Sequence, residues 1–193
     1  MTSTDLDFDP DALRDKYRAE RDKRLRSDGA EQYIAMTGRF AHYNDDDPYV
    51  APGYTRTPIT DEKDVIIIGG GFSGLLAGAR LKEQGVKDVR IIEAGGDFGG
   101  TWYWNRYPGA QCDIESYCYL PLLEELGYIP KEKYSYVSEI FEHSQRIGRE
   151  YGLYDIAVFQ TRVTSVDWDE NAKRWIVSTN HGDKMKARFI VMA

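Results

Sequence analysis

The stretch DVIIIGGGFSGLLAGARLKEQGVKDVRIIEA, residues 64–94, decides the fold. It opens on an apolar, β-branched run, breaks at a triple glycine, continues in residues that favour a helix, and closes on a second apolar run that ends in an acid. Strand, glycine turn, helix and strand in that order make a βαβ unit with two parallel strands. The fold class is therefore α/β and Rossmann-like.

Inside the turn, Gly69, Gly71 and Gly74 form GxGxxG between a strand and a helix, which is the context that gives this short motif its meaning. Gly69 permits the tight turn, Gly71 lets backbone approach a pyrophosphate, and Gly74 lets the helix pack close to the strand. Phe72 and Ser73 lie within the turn, so their backbone groups are candidates to meet phosphate at the positive end of the helix. Glu93 ends the second strand 19 residues after Gly74, where an acid accepts hydrogen bonds from a ribose and disfavours a 2′-phosphate. The turn thus fits FAD or NAD.

Downstream, EAGGDFGGTWYWNRYPGAQCDIES, residues 93–116, places Trp102, Tyr103 and Trp104 between a double glycine and a Pro-Gly turn. Neither helical nor strand periodicity explains three rings in a row, so they line a site or plug a core. Gly95, Gly96, Gly99 and Gly100 allow a loop to pass close to a long, flat ligand that aromatic side chains wall in, which favours FAD.

Residues 1–60 read as a charged extension and linker. A helix is expected from Asp9-Pro10, where an N-cap acid precedes a proline suited to the first turn, and NDDDPYVAPGYTRTP reads as irregular linker. Residues 61–193 read as the FAD-binding domain. After the aromatic stretch a core-packing helix is expected from Ser138 to about Tyr151, then a meander of short strands that turns near residues 169–171 and 180–182 and ends in the strand Phe189 to Met192. That ending leaves the sheet with few strands, so the domain is expected to be incomplete, a piece of a longer chain.

The bulk composition narrows the function. A net charge of −7 and a pI of 5.1 argue against a nucleic-acid partner. No apolar run is long enough to span a bilayer, and the start lacks a signal peptide's apolar core, so a cytoplasmic protein with no membrane partner is expected. Cys112 and Cys118 make no disulfide framework or metal pattern, and Cys112 reads as a packed thiol. His42, His143 and His181 are scattered and receive no role.

Gly99-Gly100-x-Trp102, then Tyr107-Pro108-Gly109, then Asp113 fit the fingerprint [AG]GxWxxxx[FY]P[GM]xxxD at every position. With the turn GGGFSG, the chain resembles the N-terminal part of a type I Baeyer–Villiger monooxygenase, and its charged extension is similar to that of the longer members acting on polycyclic ketones. The resemblance implies FAD and NADPH as cofactors. It also implies a reaction in which NADPH reduces FAD, dioxygen adds as a flavin peroxide, and one oxygen is inserted beside a ketone carbonyl to give an ester or lactone.

By the same resemblance, Asp113 is the catalytic residue and orients an arginine beside the flavin. Gly100, Thr101, Trp102, Asp113 and Tyr117 contact FAD, Val163 pairs with adenine through its backbone, and Gln111, Cys112 and Asp113 edge the NADPH site. The family's second glycine turn, its other fingerprint with a histidine and that arginine are not in this sequence. The expected partners are therefore a ketone, dioxygen and the remainder of the protein's own chain, with the NADPH domain, and the 193 residues alone are expected to be inactive.

Three other readings compete. A flavin-containing N- or S-monooxygenase shares the turn and the acid but is not expected to carry YPGxxxD. A non-catalytic FAD-binding module applies if the chain is naturally this short. A disulfide reductase would need a redox cysteine pair soon after Glu93, which is absent.

Overall fold

The computed structural model describes residues 7–193, in two compact units, residues 7–46 and 47–193. The first is short and polar. Helix α1, Pro10–Asp22, begins where the sequence places it: the Asp9 carboxylate accepts the Asp11 N–H at 2.9 Å and Pro10 occupies the first turn. No residue of α1 is buried, and it carries surface ion pairs at i,i+3 spacing, such as Arg14 with Asp11. A single turn, α2, His42–Asp45, follows.

The second unit is a six-stranded mixed sheet. Its elements are β1 (Glu62–Ile68), α3 (Phe72–Glu83), β2 (Val89–Ile92), the one-turn helices α4 (Thr101–Trp104) and α5 (Ser116–Tyr119), α6 (Val137–Glu150), β3 (Ala157–Val158), β4 (Val163–Asp169), β5 (Arg174–Thr179) and β6 (Lys184–Met192). The strand order is β3-β2-β1-β6-β5-β4, with β2 and β6 both parallel to β1 and the β4–β5–β6 meander antiparallel. The meander joins the same sheet by inserting β6 beside β1, so the sheet has more strands than the sequence reading expected. The final strand begins at Lys184, five residues before the apolar stretch that announced it, because its first half alternates buried Met185 and Ala187 with exposed lysines.

The pleat of β1 feeds two cores. Val65 and Ile67 point to one face, where they meet Leu75 and Ala79 of α3, Ile91 of β2 and Ile147 of α6; Ile66 points to the other, with Ile92, Val177, Met185 and Ala187. Each fully buried aliphatic chain removes about 1.5–3 kcal/mol worth of apolar surface from water, enough for β1 to hold the sheet's centre. Among the described residues no helix is long and apolar enough to cross a membrane.

Residues 47–60 contain no regular element, as the sequence suggests, yet they are pinned to the sheet. Arg56 donates from both terminal nitrogens to the Asp183 carboxylate, at 2.6 and 2.5 Å, and the Ile59 N–H and Thr179 hydroxyl donate to the same group. Burial alone would raise the pKa of the wholly buried Asp183, but these four donors outweigh it and hold the carboxyl well below the usual range. A depressed folded-state pKa adds stability above the unfolded value and loses it as pH falls. Asp183→Asn is expected to cost about 3 kcal/mol at pH 7, because a buried guanidinium loses its charge partner. In denaturant unfolding, the gap from the parent should close below about pH 4, where the parent's own carboxylate protonates on unfolding.

Candidate functional site

The turn between β1 and α3 and the loop after β2 approach each other through glycines. A Cβ built on Gly100 would lie 2.8 Å from the Gly71 Cα, and Gly100 has φ +53° and ψ −121°, a conformation that L side chains rarely adopt. Gly71 is the N-cap of α3 and no side chain caps the helix, so the first-turn N–H groups, which have no intrahelical acceptor, are not met by a capping side chain. Between turn and loop lies a cleft of about 400 Å³, lined by Gly69 to Ser73, Glu93, Gly99 to Trp102, Trp104, Tyr119 and Ala193.

Glu93 ties the two walls together. It is 5% exposed; Oε2 accepts the Gly70 N–H at 2.5 Å and Oε1 accepts the Gly95 N–H at 2.6 Å. Each oxygen keeps a second lone pair for a donor in the cleft. Beyond Gly95, the loop is anchored by Phe98, which is fully buried against Tyr154 and Phe159, and by Asp97, which accepts from the Tyr154 hydroxyl and the Gln145 amide.

The three consecutive aromatics separate because α4 turns about 100° per residue. Trp102 lines the cleft and donates Nε1–H to the Tyr119 hydroxyl at 2.8 Å, with the two rings edge to face. Tyr103, 2% exposed, turns into the protein, and Trp104 stays 37% exposed at the cleft's rim. Tyr119 also meets Phe72 edge to face, so one wall is a ring relay from α3 to α4.

Of the residues singled out from sequence, Gly69, Gly71, Phe72, Ser73, Glu93, Gly100, Thr101 and Trp102 come together in this cleft. Gly74 sits behind it: a Cβ there would lie 1.9 Å from the Gly69 carbonyl oxygen, which is the close helix packing the motif requires. Asp113 is exposed and lines a separate hollow of about 340 Å³ with Gln111, Cys112 and Tyr134; among the described residues no side chain or backbone group donates to its carboxylate. Cys112 is buried under Trp102, Leu120 and Ile140. Tyr117 is 57% exposed and does not line the cleft, and Val163 lies in β4, half-buried against the Ile66 core.

Sequence reasoning missed Gly70, Tyr119 and Ala193 as cleft residues, and left Trp104 open between lining and plug. Tyr119 carried no signal in the sequence: it stands three residues after Ser116, whose hydroxyl is buried against that of Ser135 and orients the short helix, a contact that only the fold shows.

A βαβ unit with a glycine-lined cleft at the carboxyl ends of parallel strands defines a Rossmann-like domain. A family described as an NAD(P)-binding Rossmann-like domain matches residues 67–126. Across 97% of its length the chain is 53% identical to Baeyer-Villiger monooxygenase 4 of Dietzia sp. strain D5, and it covers 30% of that protein. Among solved structures, the polycyclic ketone monooxygenase of the thermophilic fungus Thermothelomyces thermophila superposes on 95% of the chain with a TM-score of 0.83 and 38% identity, the chain covering 32% of it. OTEMO in complex with FAD and NADP superposes on 72% of the chain, with a TM-score of 0.64 and 32% identity over 26% of its own length. The chain is thus similar, along nearly all of its sequence, to part of a protein named a Baeyer–Villiger monooxygenase, as the fingerprint implied, and it spans about three-tenths of that protein's length.

The second and third glycines of the motif make opposite predictions. A Cβ on Gly71 would meet only the Gly100 Cα, at an ordinary 3.6 Å, so Gly71→Ala should leave the unfolding free energy of the ligand-free protein within about 1 kcal/mol of the parent, the modest loss of a glycine N-cap. Gly74→Ala forces backbone apart and should cost about 3 kcal/mol or more in the same measurement.

Proposed function

We propose that the cleft binds FAD and that the protein of which this sequence is part is a Baeyer–Villiger monooxygenase, using NADPH and dioxygen to insert one oxygen beside a ketone carbonyl. The observation that carries the reading is the space at Gly71: the protein itself leaves room for a side chain there, yet a bare backbone faces the cleft between an uncapped helix end and a buried acid. A ligand that needs close backbone approach accounts for that glycine; protein packing does not.

In this reading Gly69, Gly71, Phe72 and Ser73 surround the pyrophosphate, with the α3 dipole favouring its charge. Glu93 accepts from the ribose hydroxyls with the lone pairs its two backbone donors leave free. Gly100, Thr101 and Trp102 form the wall beside the flavin, where an apolar ring excludes water, and Val163 and its strand serve the adenine end. FAD, when bound, supplies the activation of dioxygen, a chemistry no side chain provides.

Asp113 takes the catalytic role. An exposed carboxylate with no donor among the described residues is free to orient a cation brought by the rest of the protein, and with Gln111 and Cys112 it edges the NADPH site. Tyr117, equally exposed, contacts the flavin from the same side. The extension of residues 1–60, the FAD-binding domain of 61–193, a soluble enzyme of the cytoplasm, and a ketone and dioxygen as reactants complete the proposal.

The test is the mass of the product when the source protein receives NADPH, dioxygen and a cyclic ketone, with a tertiary amine in a parallel reaction. Ketone plus one oxygen, as lactone, is the expected result; an N-oxide alone would assign the chemistry to amine oxidation and overturn it. In the same protein Gly71→Val should lose bound flavin by more than a hundredfold in affinity while remaining folded, and Asp113→Ala should retain the yellow cofactor but lose ester formation. Undiminished turnover in Asp113→Ala would remove that residue from the reaction.

A further inference from the structure

The cleft wall formed by residues 99–102 is held from outside by a residue that no motif marks. Asp47 Oδ2 accepts the Gly96 N–H at 3.0 Å and the Tyr103 hydroxyl at 2.6 Å. Gly96 and Tyr103 stand at opposite ends of the glycine-rich loop, and Tyr103 directly follows Trp102, so one carboxylate oxygen clasps both ends, and the Gly96 N–H is shared with the Tyr103 hydroxyl at 2.9 Å. Burial and the Asp47 carboxylate push the Tyr103 hydroxyl well above its ordinary pKa, and the phenol remains a donor at any physiological pH. The clasp is doubled by Arg106, whose guanidinium lies 3.4 Å from the Tyr49 ring centre and 4.6 Å from that of Tyr103, while its Nε–H donates to the Tyr103 carbonyl at 2.8 Å.

The loop needs such a clasp. Four of the six residues 95–100 are glycine, so the backbone does not fix its own path. Phe98 and Asp97 anchor its middle to α6 and the segment before β3, and backbone bonds from the Gln160 N–H to the Gly95 carbonyl and from the Gly99 N–H to the Gly70 carbonyl join its ends, but the flank away from the turn, at Gly96 and Tyr103, is held by Asp47. Toward the turn the wall is tied by the Gly99 N–H, which donates to the Gly70 carbonyl at 3.0 Å, and has no room for a side chain at Gly100; on its other flank it is restrained by Tyr103.

We infer that Asp47 is a positioning residue for the cleft: through Gly96 and Tyr103 it sets the gap between the Gly100–Trp102 wall and the Gly69–Ser73 turn. The inference rests on the FAD reading above. Releasing the clasp lets the wall swing outward, and a ligand that must touch both walls loses affinity while the core pins keep the domain folded.

The experiment uses the complete source protein, stripped of flavin and titrated with FAD. For the parent, Asp47→Ala, Asp47→Asn, Tyr103→Phe and the Asp47→Ala/Tyr103→Phe double variant, it measures the FAD dissociation constant and the rise in Tm that saturating FAD produces. Loss of a hydrogen bond to a charged acceptor is expected to raise the dissociation constant about tenfold in Tyr103→Phe and in Asp47→Ala, with a smaller FAD-induced rise in Tm. The double variant should lose less than the sum of the two single losses, since the Asp47–Tyr103 bond is common to both while the Gly96 N–H also donates to the Tyr103 hydroxyl, and Asp47→Asn, which keeps an acceptor oxygen, should recover most of the affinity.

Parent-like FAD affinity in Tyr103→Phe or Asp47→Ala overturns the inference. So does a lower Tm without FAD combined with an unchanged FAD-induced rise, which is what a residue that only supports the fold would give, and so do additive losses in the double variant. If Asp47→Ala does not fold, Tyr103→Phe decides. A parent protein that binds no FAD overturns the cofactor reading together with the inference, whereas parent binding with indifferent variants overturns the inference alone.

Discussion

The cleft depends on one buried carboxylate held between two backbone N–H groups. Glu93 ends β2, and its two oxygens take donors from either side of the opening, Gly70 in the turn and Gly95 in the loop. The charge is tolerated at 5% exposure because both oxygens are satisfied by charge-assisted bonds. The same geometry explains why the turn is GGG rather than the minimal GxG: a Cβ on Gly70 would lie 2.8 Å from Glu93 Oε2. The middle glycine answers to the acid and the outer two to the turn and to the space beside it, so acid and glycines form one unit although 23 residues separate Gly70 from Glu93.

Much of this was legible in the sequence, and the boundary of what was legible is physical. Strand, turn, helix and strand follow from residues within about 30 positions of each other, and local periodicity reports them. The insertion of β6 beside β1 does not, because nothing near Val65 says that Phe189 will be its neighbour. The docking of residues 47–60 is hidden for the same reason: Arg56 finds its partner in Asp183 and Asp47 finds Tyr103, across gaps no window of sequence spans. In the cleft, the turn glycines, Glu93 and Trp102 were readable from spacing. Tyr119 was not chosen over Tyr117, since which of two nearby tyrosines turns inward depends on the buried Ser116 that orients the short helix between them.

The run of three aromatics is both a lining and a plug. Trp102 supplies cleft wall, Tyr103 supplies packing, and Trp104 supplies rim, all from a single helical turn that starts at a glycine in a conformation other residues avoid.

The pairing of β1 with β6 carries a consequence for how the chain reaches this state. Glu62 is in register with Lys186 and Ile68 with Met192, so the centre of the sheet joins segments more than 120 residues apart. Closing so long a loop is slow relative to forming the local βαβ unit. As the polypeptide leaves the ribosome, β1 and β2 can pair early, while the other flank of β1, an isoleucine-rich edge, waits for more than a hundred residues to be synthesised. Through that interval the nascent sheet presents an unpaired apolar edge, the kind of surface that chaperones cover and that neighbouring chains on a polysome tend to pair with.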